Sequence, residues 1–76
     1  MWLNILYKCK NRQLINLDRT DTIQVSYSSD VATLCVGIYA LLKGNPDYIE
    51  KQYGKILLAL KNNEPICNIY EEGELQ

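Results

Sequence analysis

The chain has 76 residues, a formal net charge of −1, 47% hydrophobic and 22% charged residues, three Cys, no His and no Phe, which bounds it to one small domain. A domain of this size buries only about 60–65% of the surface its unfolded chain exposes, leaving little material for a deep catalytic cleft. Without His the commonest general base and metal ligand are missing, so the reading is a non-enzyme with no catalytic residue, no metal ligand and no cofactor.

Taken in chain order, Trp2–Cys9 alternates as a half-buried strand does, with Leu3, Ile5, Tyr7 and Cys9 on one side and Asn4, Lys8 and Lys10 mostly on the other. Asn11-Arg12 supplies a turn, Gln13–Leu17 a short second strand, and Asp18 the next turn. Thr22–Tyr27 is the cleanest strand: Ile23, Val25 and Tyr27 point inward and Thr22, Gln24 and Ser26 outward. Ser28-Ser29-Asp30 breaks it and predicts a hairpin.

Val31–Leu42 admits two readings. As a strand it places Ala32, Leu34, Val36, Ile38, Ala40 and Leu42 on one face; as a helix it takes Ser29 as N-cap and Gly44 at the C-terminal cap. The strand is favoured, because Gly37 and the β-branched Val31, Thr33, Val36 and Ile38 each weaken a helix.

Asn45-Pro46-Asp47 is the strongest local signal, joining an N-cap residue, a proline preorganised for the first helical position and an acid at the positive end of the helix dipole. The helix it predicts carries Ile49, Tyr53, Ile56, Leu57 and Leu60 as its apolar stripe, and Asn62-Asn63 with Pro65 ends it. Ile66–Tyr70 reads as a short terminal strand. The fold class is therefore α+β: a small antiparallel sheet of three to five strands, a β-meander, with one amphipathic helix packed on one face. Residues 1–70 form the single domain and residues 71–76 an acidic flexible tail.

The order Leu14-Ile15-Asn16-Leu17-Asp18, the Thr22–Tyr27 strand, a further strand and the Gly44-Asn45-Pro46-Asp47 helix start resembles small uncharacterised bacterial and phage proteins built as a β-meander plus one helix. The likeness covers residues 13–61 in pattern and the Leu-Ile-Asn-Leu-Asp piece in letters. It implies a fold and a genomic setting; among small phage proteins of this size, inhibitors of host defence recur, so an anti-defence role is an implication by analogy.

Cys9, Cys35 and Cys67 are separated by 25 and 31 residues with no C-x-x-C pair, so metal or iron–sulfur spacing is missing. An odd, sparse set of thiols, without a basic start leading into an apolar leader, is read as reduced and the protein as cytoplasmic. No run approaches the 18–20 apolar residues of a membrane span. The glycines at 37, 44, 54 and 73 fit no phosphate-loop spacing, and Cys35 has no His to activate it.

Charge is unevenly spread. The first 20 residues hold Lys8, Lys10, Arg12 and Arg19 against Asp18 alone. These four are the candidate binding residues, suited to phosphates or to an acidic protein patch; the bland alternative is a solvated edge kept basic against strand-to-strand aggregation. Without the last six residues the chain carries net +2, too little for a dedicated nucleic-acid binder, so nucleic acid is a weak reading. A second surface follows from counting faces. If the even positions of Val31–Leu42 meet the helix, then Val31, Thr33, Cys35, Tyr39 and Leu41 project from the uncovered side and form a dimer or partner interface, unless a loop or the terminal segment folds over them.

Two functional classes result. One is a homodimeric interaction module acting on a protein partner as an inhibitor or adaptor. The other is a binding module for a nucleotide or other phosphorylated small molecule. Salt separates them, since phosphate capture weakens steeply with ionic strength and an apolar contact does not.

Overall fold

In the computed structural model, which describes residues 1–19 and 22–73, six strands and one helix follow in the order β1 (Trp2–Leu6), β2 (Arg12–Asn16), β3 (Ile23–Ser28), β4 (Val31–Val36), β5 (Tyr39–Gly44), α1 (Pro46–Lys61) and β6 (Ile66–Tyr70). A 3-10 turn over Leu17–Arg19 follows β2. The α+β expectation holds, with the strands divided between two three-stranded sheets. One, the meander, has the order β3-β4-β5 and is antiparallel throughout; the other, the mixed sheet, has the order β2-β1-β6, with β1 antiparallel to β2 and parallel to β6.

The hairpin expected at Ser28–Asp30 is present: Ser28 pairs with Val31, and Ser29 takes the left-handed conformation (φ 52°) that closes a two-residue turn. Val31–Leu42 is extended, but as two strands. Gly37 sits at φ 60°, open to a residue without Cβ, and with Ile38 reverses the chain between β4 and β5. The even positions before that reversal, Ala32, Leu34 and Val36, are buried as predicted, whereas Ile38 at the turn is almost wholly exposed. A bulge opposite Leu34/Cys35 then turns the next strand so that Leu41 and Leu42 are both buried.

Helix α1 begins as its sequence dictates. Asn45 Oδ1 accepts from the Asp47 N–H (2.9 Å), Pro46 occupies the first turn, and Lys61 stands in the last. Its buried positions are Ile49, Gln52, Ile56 and Ala59. This corrects the expected stripe: Leu57 and Leu60 are 46% and 42% exposed. The reason is the helix's second neighbour. Besides crossing the meander, α1 runs beside β6, where the Tyr70 N–H donates to Gln52 Oε1 (3.3 Å) and the Tyr48 hydroxyl donates to the Tyr70 carbonyl (2.7 Å). Packing on two sides rolls the helix toward Gln52 and Ala59 and lifts Leu57 and Leu60 out.

The mixed sheet closes around β1. Trp2 N–H donates to Pro65 O and Glu71 N–H to Leu6 O, each 2.9 Å. Leu3, Ile5, Cys67 and Ile69 on its inner face join Ala32, Leu34, Val36 and Leu42 of the meander and Ile49, Ile56 and Ala59 of the helix in one apolar cluster. Burying each of these large aliphatic side chains contributes about 1.5–3 kcal/mol. Among the described residues no helix is long and apolar enough to cross a membrane.

Candidate functional site

The turn between β1 and β2 carries most of the predicted basic cluster. Tyr7 N–H donates to Asn11 O (2.9 Å) and Lys10 N–H to Tyr7 O (3.0 Å), with Lys10 itself left-handed at φ 71°. The turn therefore falls at Lys8–Lys10, earlier than the expected Asn11-Arg12, and Arg12 opens β2. An open hollow of about 760 Å³ lies here, lined by Tyr7, Lys8, Cys9, Asn11, Arg12, Gln13 and Glu71. Lys8 and Arg12 thus share one concavity. Lys10 is exposed outside that lining. Arg19 follows β2 at the end opposite Arg12, so its backbone stands away from the hollow, and its side chain lies outside the described residues.

The segment after β6 ties the β1–β2 turn and the start of α1 in place. Glu71 Oε1 accepts from the Lys8 N–H (2.8 Å), and Glu72 Oε1 accepts from the Asn45 N–H (2.8 Å) at the start of α1. Of the predicted acidic tail, these two residues are half-buried ties between the β1–β2 turn and the β5–α1 junction; residues 74–76 lie outside the described residues. A Cβ built on Gly44 would stand 2.5 Å from Glu72 Oε1, so glycine is what lets the carboxylate approach. The Tyr7 hydroxyl donates to Gln13 Oε1 (2.9 Å), and burial, followed by the charges of Glu71 and Cys9, pushes its pKa up. The hollow accordingly presents two cationic side chains and the amides of Asn11 and Gln13, a set able to hydrogen-bond an anion, tempered by the Glu71 carboxylate in the same lining.

The second predicted surface looks different in three dimensions. Val31, Thr33 and Cys35 do project from the face of β4 opposite the helix and are half-buried, and Tyr39 is well exposed, but Leu41 is buried at the bulge. The register sets Ser28, Ser26 and Gln24 opposite Val31, Thr33 and Cys35, and Lys43 opposite Thr33 on the other flank. Polar neighbours from β3 and β5 therefore break up the apolar face expected from β4 alone. Comparison with protein-family models, with curated proteins and with solved structures finds no match.

Exposed apolar groups collect elsewhere. On the outer face of the mixed sheet, Trp2, Leu14 and Ile66 are 45%, 55% and 46% exposed. They surround the Asn4–Asn68 side-chain hydrogen bond (3.0 Å). The strand alternation of β1 carries a signal for this face, because Trp2 takes the side opposite Leu3 and Ile5. The parallel return of β6, which adds Ile66, has no local signature.

The thiols are dispersed. Cys9 is exposed in the turn, Cys35 is half-buried with its sulfur 4.0 Å from Thr33 O, and Cys67 is buried. Burial pushes the Cys67 thiol up, with Lys55 acting in the opposite sense. Lys55 stands over the Tyr70 ring, 4.9 Å from its centroid.

Proposed function

We propose that this protein is a non-enzymatic interaction module, a small homodimeric inhibitor or adaptor that acts by occupying the surface of a partner protein. The observation that supports it is the share of large apolar side chains left outside the core. Trp2, Leu14 and Ile66 cluster on one sheet face, and Tyr27, Leu57 and Leu60 are also exposed. A domain this small can rarely spare such residues unless contacts with other chains use them.

The test is native mass spectrometry of the complex purified from the source cells, repeated at low and high salt. A defined second polypeptide at fixed stoichiometry, retained as ionic strength rises, supports the reading. A chain free of any other polypeptide at both salt concentrations counts against it.

A second reading rests on the concavity that joins Lys8 and Arg12. In it the β1–β2 turn captures a nucleotide or other phosphorylated small molecule. Calorimetric titration with nucleoside mono- and diphosphates separates the two. Each charge-assisted hydrogen bond contributes about 1.5–3 kcal/mol, so Lys8→Gln with Arg12→Gln should lower the affinity at least about a hundredfold, with the deficit shrinking at high salt. No heat of binding in the unsubstituted protein ends this reading.

A further inference from the structure

The outer edge of the meander and one flank of the helix stand side by side, and one symmetry operation satisfies both. Gly37 N–H donates to Thr22 O (2.8 Å), and the two-residue turn closes on Ser28 and Val31. In an antiparallel ladder bonded pairs alternate, so the main-chain groups of Thr22, Gln24, Ser26 and Ser28 face β4. Those of Ile23, Val25 and Tyr27 point away from the sheet, where β3 has no neighbouring strand among the described residues.

Edges normally carry a device against pairing. The mixed sheet is flanked by α1 along β6 and carries Arg12 on β2, while β5 has its bulge and Lys43. The six residues of β3, Ile-Gln-Val-Ser-Tyr-Ser, include no charge, no proline and no bulge.

The register also fixes what lies above that edge. Ile23, Val25 and Tyr27 pair with Val36, Leu34 and Ala32, which places their side chains on the helix side of the meander. The Tyr27 hydroxyl donates to Glu50 Oε1, so the Glu50 flank of α1 faces the β3 edge. Residues three, seven and ten positions beyond Glu50 share a helical flank with it, and these are Tyr53, Leu57 and Leu60. The leucines lifted off the core are therefore gathered beside the unpaired edge.

We propose that two copies of this chain pair through β3, antiparallel about a two-fold axis at Val25. Ile23 then faces the partner's Tyr27, and Val25 faces the partner's Val25, so every outward main-chain group of the strand finds a complement. The joined sheet brings the two helix flanks together and covers Tyr53, Leu57 and Leu60. An unrelated strand would pair the edge but leave that flank bare, which is why the occupant is a second copy. The inference rests on the homodimer reading above and names its surface, in place of the face of Val31, Thr33 and Cys35.

Sedimentation and oxidative cross-linking of the full chain test it. Paired residues of this type have Cα atoms about 5.5 Å apart, within disulfide range. Val25→Cys in a Cys9→Ser background should cross-link to twice the monomer mass on mild oxidation, while Leu14→Cys in the same background should not. Val25→Pro should keep the circular dichroism of the fold, since proline is tolerated where an edge N–H has no partner. It should raise the dimer dissociation constant at least about tenfold, and Leu57→Glu should do the same. If Val25→Pro fails to fold, Leu57→Glu decides. A dimer that ignores Leu57→Glu, or that cross-links through Leu14→Cys instead of Val25→Cys, overturns the β3 assignment and keeps the homodimer. A monomer at micromolar concentration overturns both.

Discussion

The two sheets are equal in strand number and opposite in construction. The meander joins three consecutive strands through turns at Ser29-Asp30 and Gly37-Ile38, so every pairing is between neighbours in sequence. The mixed sheet pairs Trp2 with Ile66 and bonds Asn4 to Asn68 across 64 positions. The meander buries Ala32, Leu34 and Val36 under the helix and leaves its exposed large side chains, Tyr27, Ile38 and Tyr39, on the β3 edge and at the β4–β5 reversal. The mixed sheet buries Leu3, Ile5 and Ile69 inside yet shows Trp2, Leu14 and Ile66 outside. The locally determined sheet thus exposes apolar side chains at its edge and its reversal, and the sheet that depends on distant chain segments exposes them on one face, where Ile66 joins Trp2 and Leu14.

Whether the sheets are separate in stability is the first way to break this comparison. Ile69→Ala in the mixed sheet and Leu34→Ala in the meander each remove a fully buried side chain from the shared cluster. Each should cost about 2–5 kcal/mol, a large part of the stability of so small a domain. Trp2, the sole tryptophan, reports on the mixed sheet and far-ultraviolet dichroism on the helix. The urea transitions of both probes should coincide in both variants. A tryptophan transition that moves alone in Ile69→Ala would show that the sheets unfold independently.

At the junction from the meander to the helix, Asn45 caps α1 through Asp47. Asn45→Ala should cost about 0.5–2 kcal/mol by the same titration. A loss under about 0.2 kcal/mol would mean that the Glu72 tie at this residue, and not the cap, fixes the junction.

Alkaline pH should act through the mixed-sheet side. Tyr7 follows β1 and Cys67 lies in β6, and burial raises both pKa values. For acids held protonated in the fold, the unfolded chain ionises first, at ordinary values of 9.0 for Cys67 and 10.0 for Tyr7. Their contribution is therefore intact below that range and is lost as pH rises through the folded values. The urea midpoint should fall between about pH 8 and about pH 10.5, and Cys67→Val should reduce the fall. An equal fall in Cys67→Val would exclude this thiol as a source.

The smallest effect concerns the long-range polar link. Asn4→Ala removes an exposed side-chain hydrogen bond and should cost less than about 1 kcal/mol. A larger loss would give the Asn4–Asn68 pair a role in setting the β1–β6 register.

What could be read in the sequence follows the same division. The α+β class, the Ser28–Asp30 hairpin, the Asn45-Pro46 helix start and the terminal strand were all legible, because each is written in adjacent letters. The split at Gly37 has no such local sign, because the apolar alternation runs through Ile38 and Ala40 without a polar break. Leu57 and Leu60 match a helical stripe, but β6 on the helix's other side decides which part of it turns inward. In the candidate site, Lys8 and Arg12 meet because the turn falls between them, which local sequence permits. Arg19 stands apart because a whole strand intervenes, and Glu71 and Glu72 gain their ties only after β6 has returned beside β1.

That parallel return sets an order of events during synthesis. The neighbour of β1 on the β6 side is translated some 60 residues after β1 itself, roughly 3–12 s later at ordinary elongation rates. In that interval the β1–β2 hairpin must hold Leu3 and Ile5 without the strand that completes their sheet. Nascent chains stalled before and after Ile66–Tyr70 should therefore differ in the protease protection of β1, and a chaperone that binds exposed hydrophobic segments would find its opening in that window.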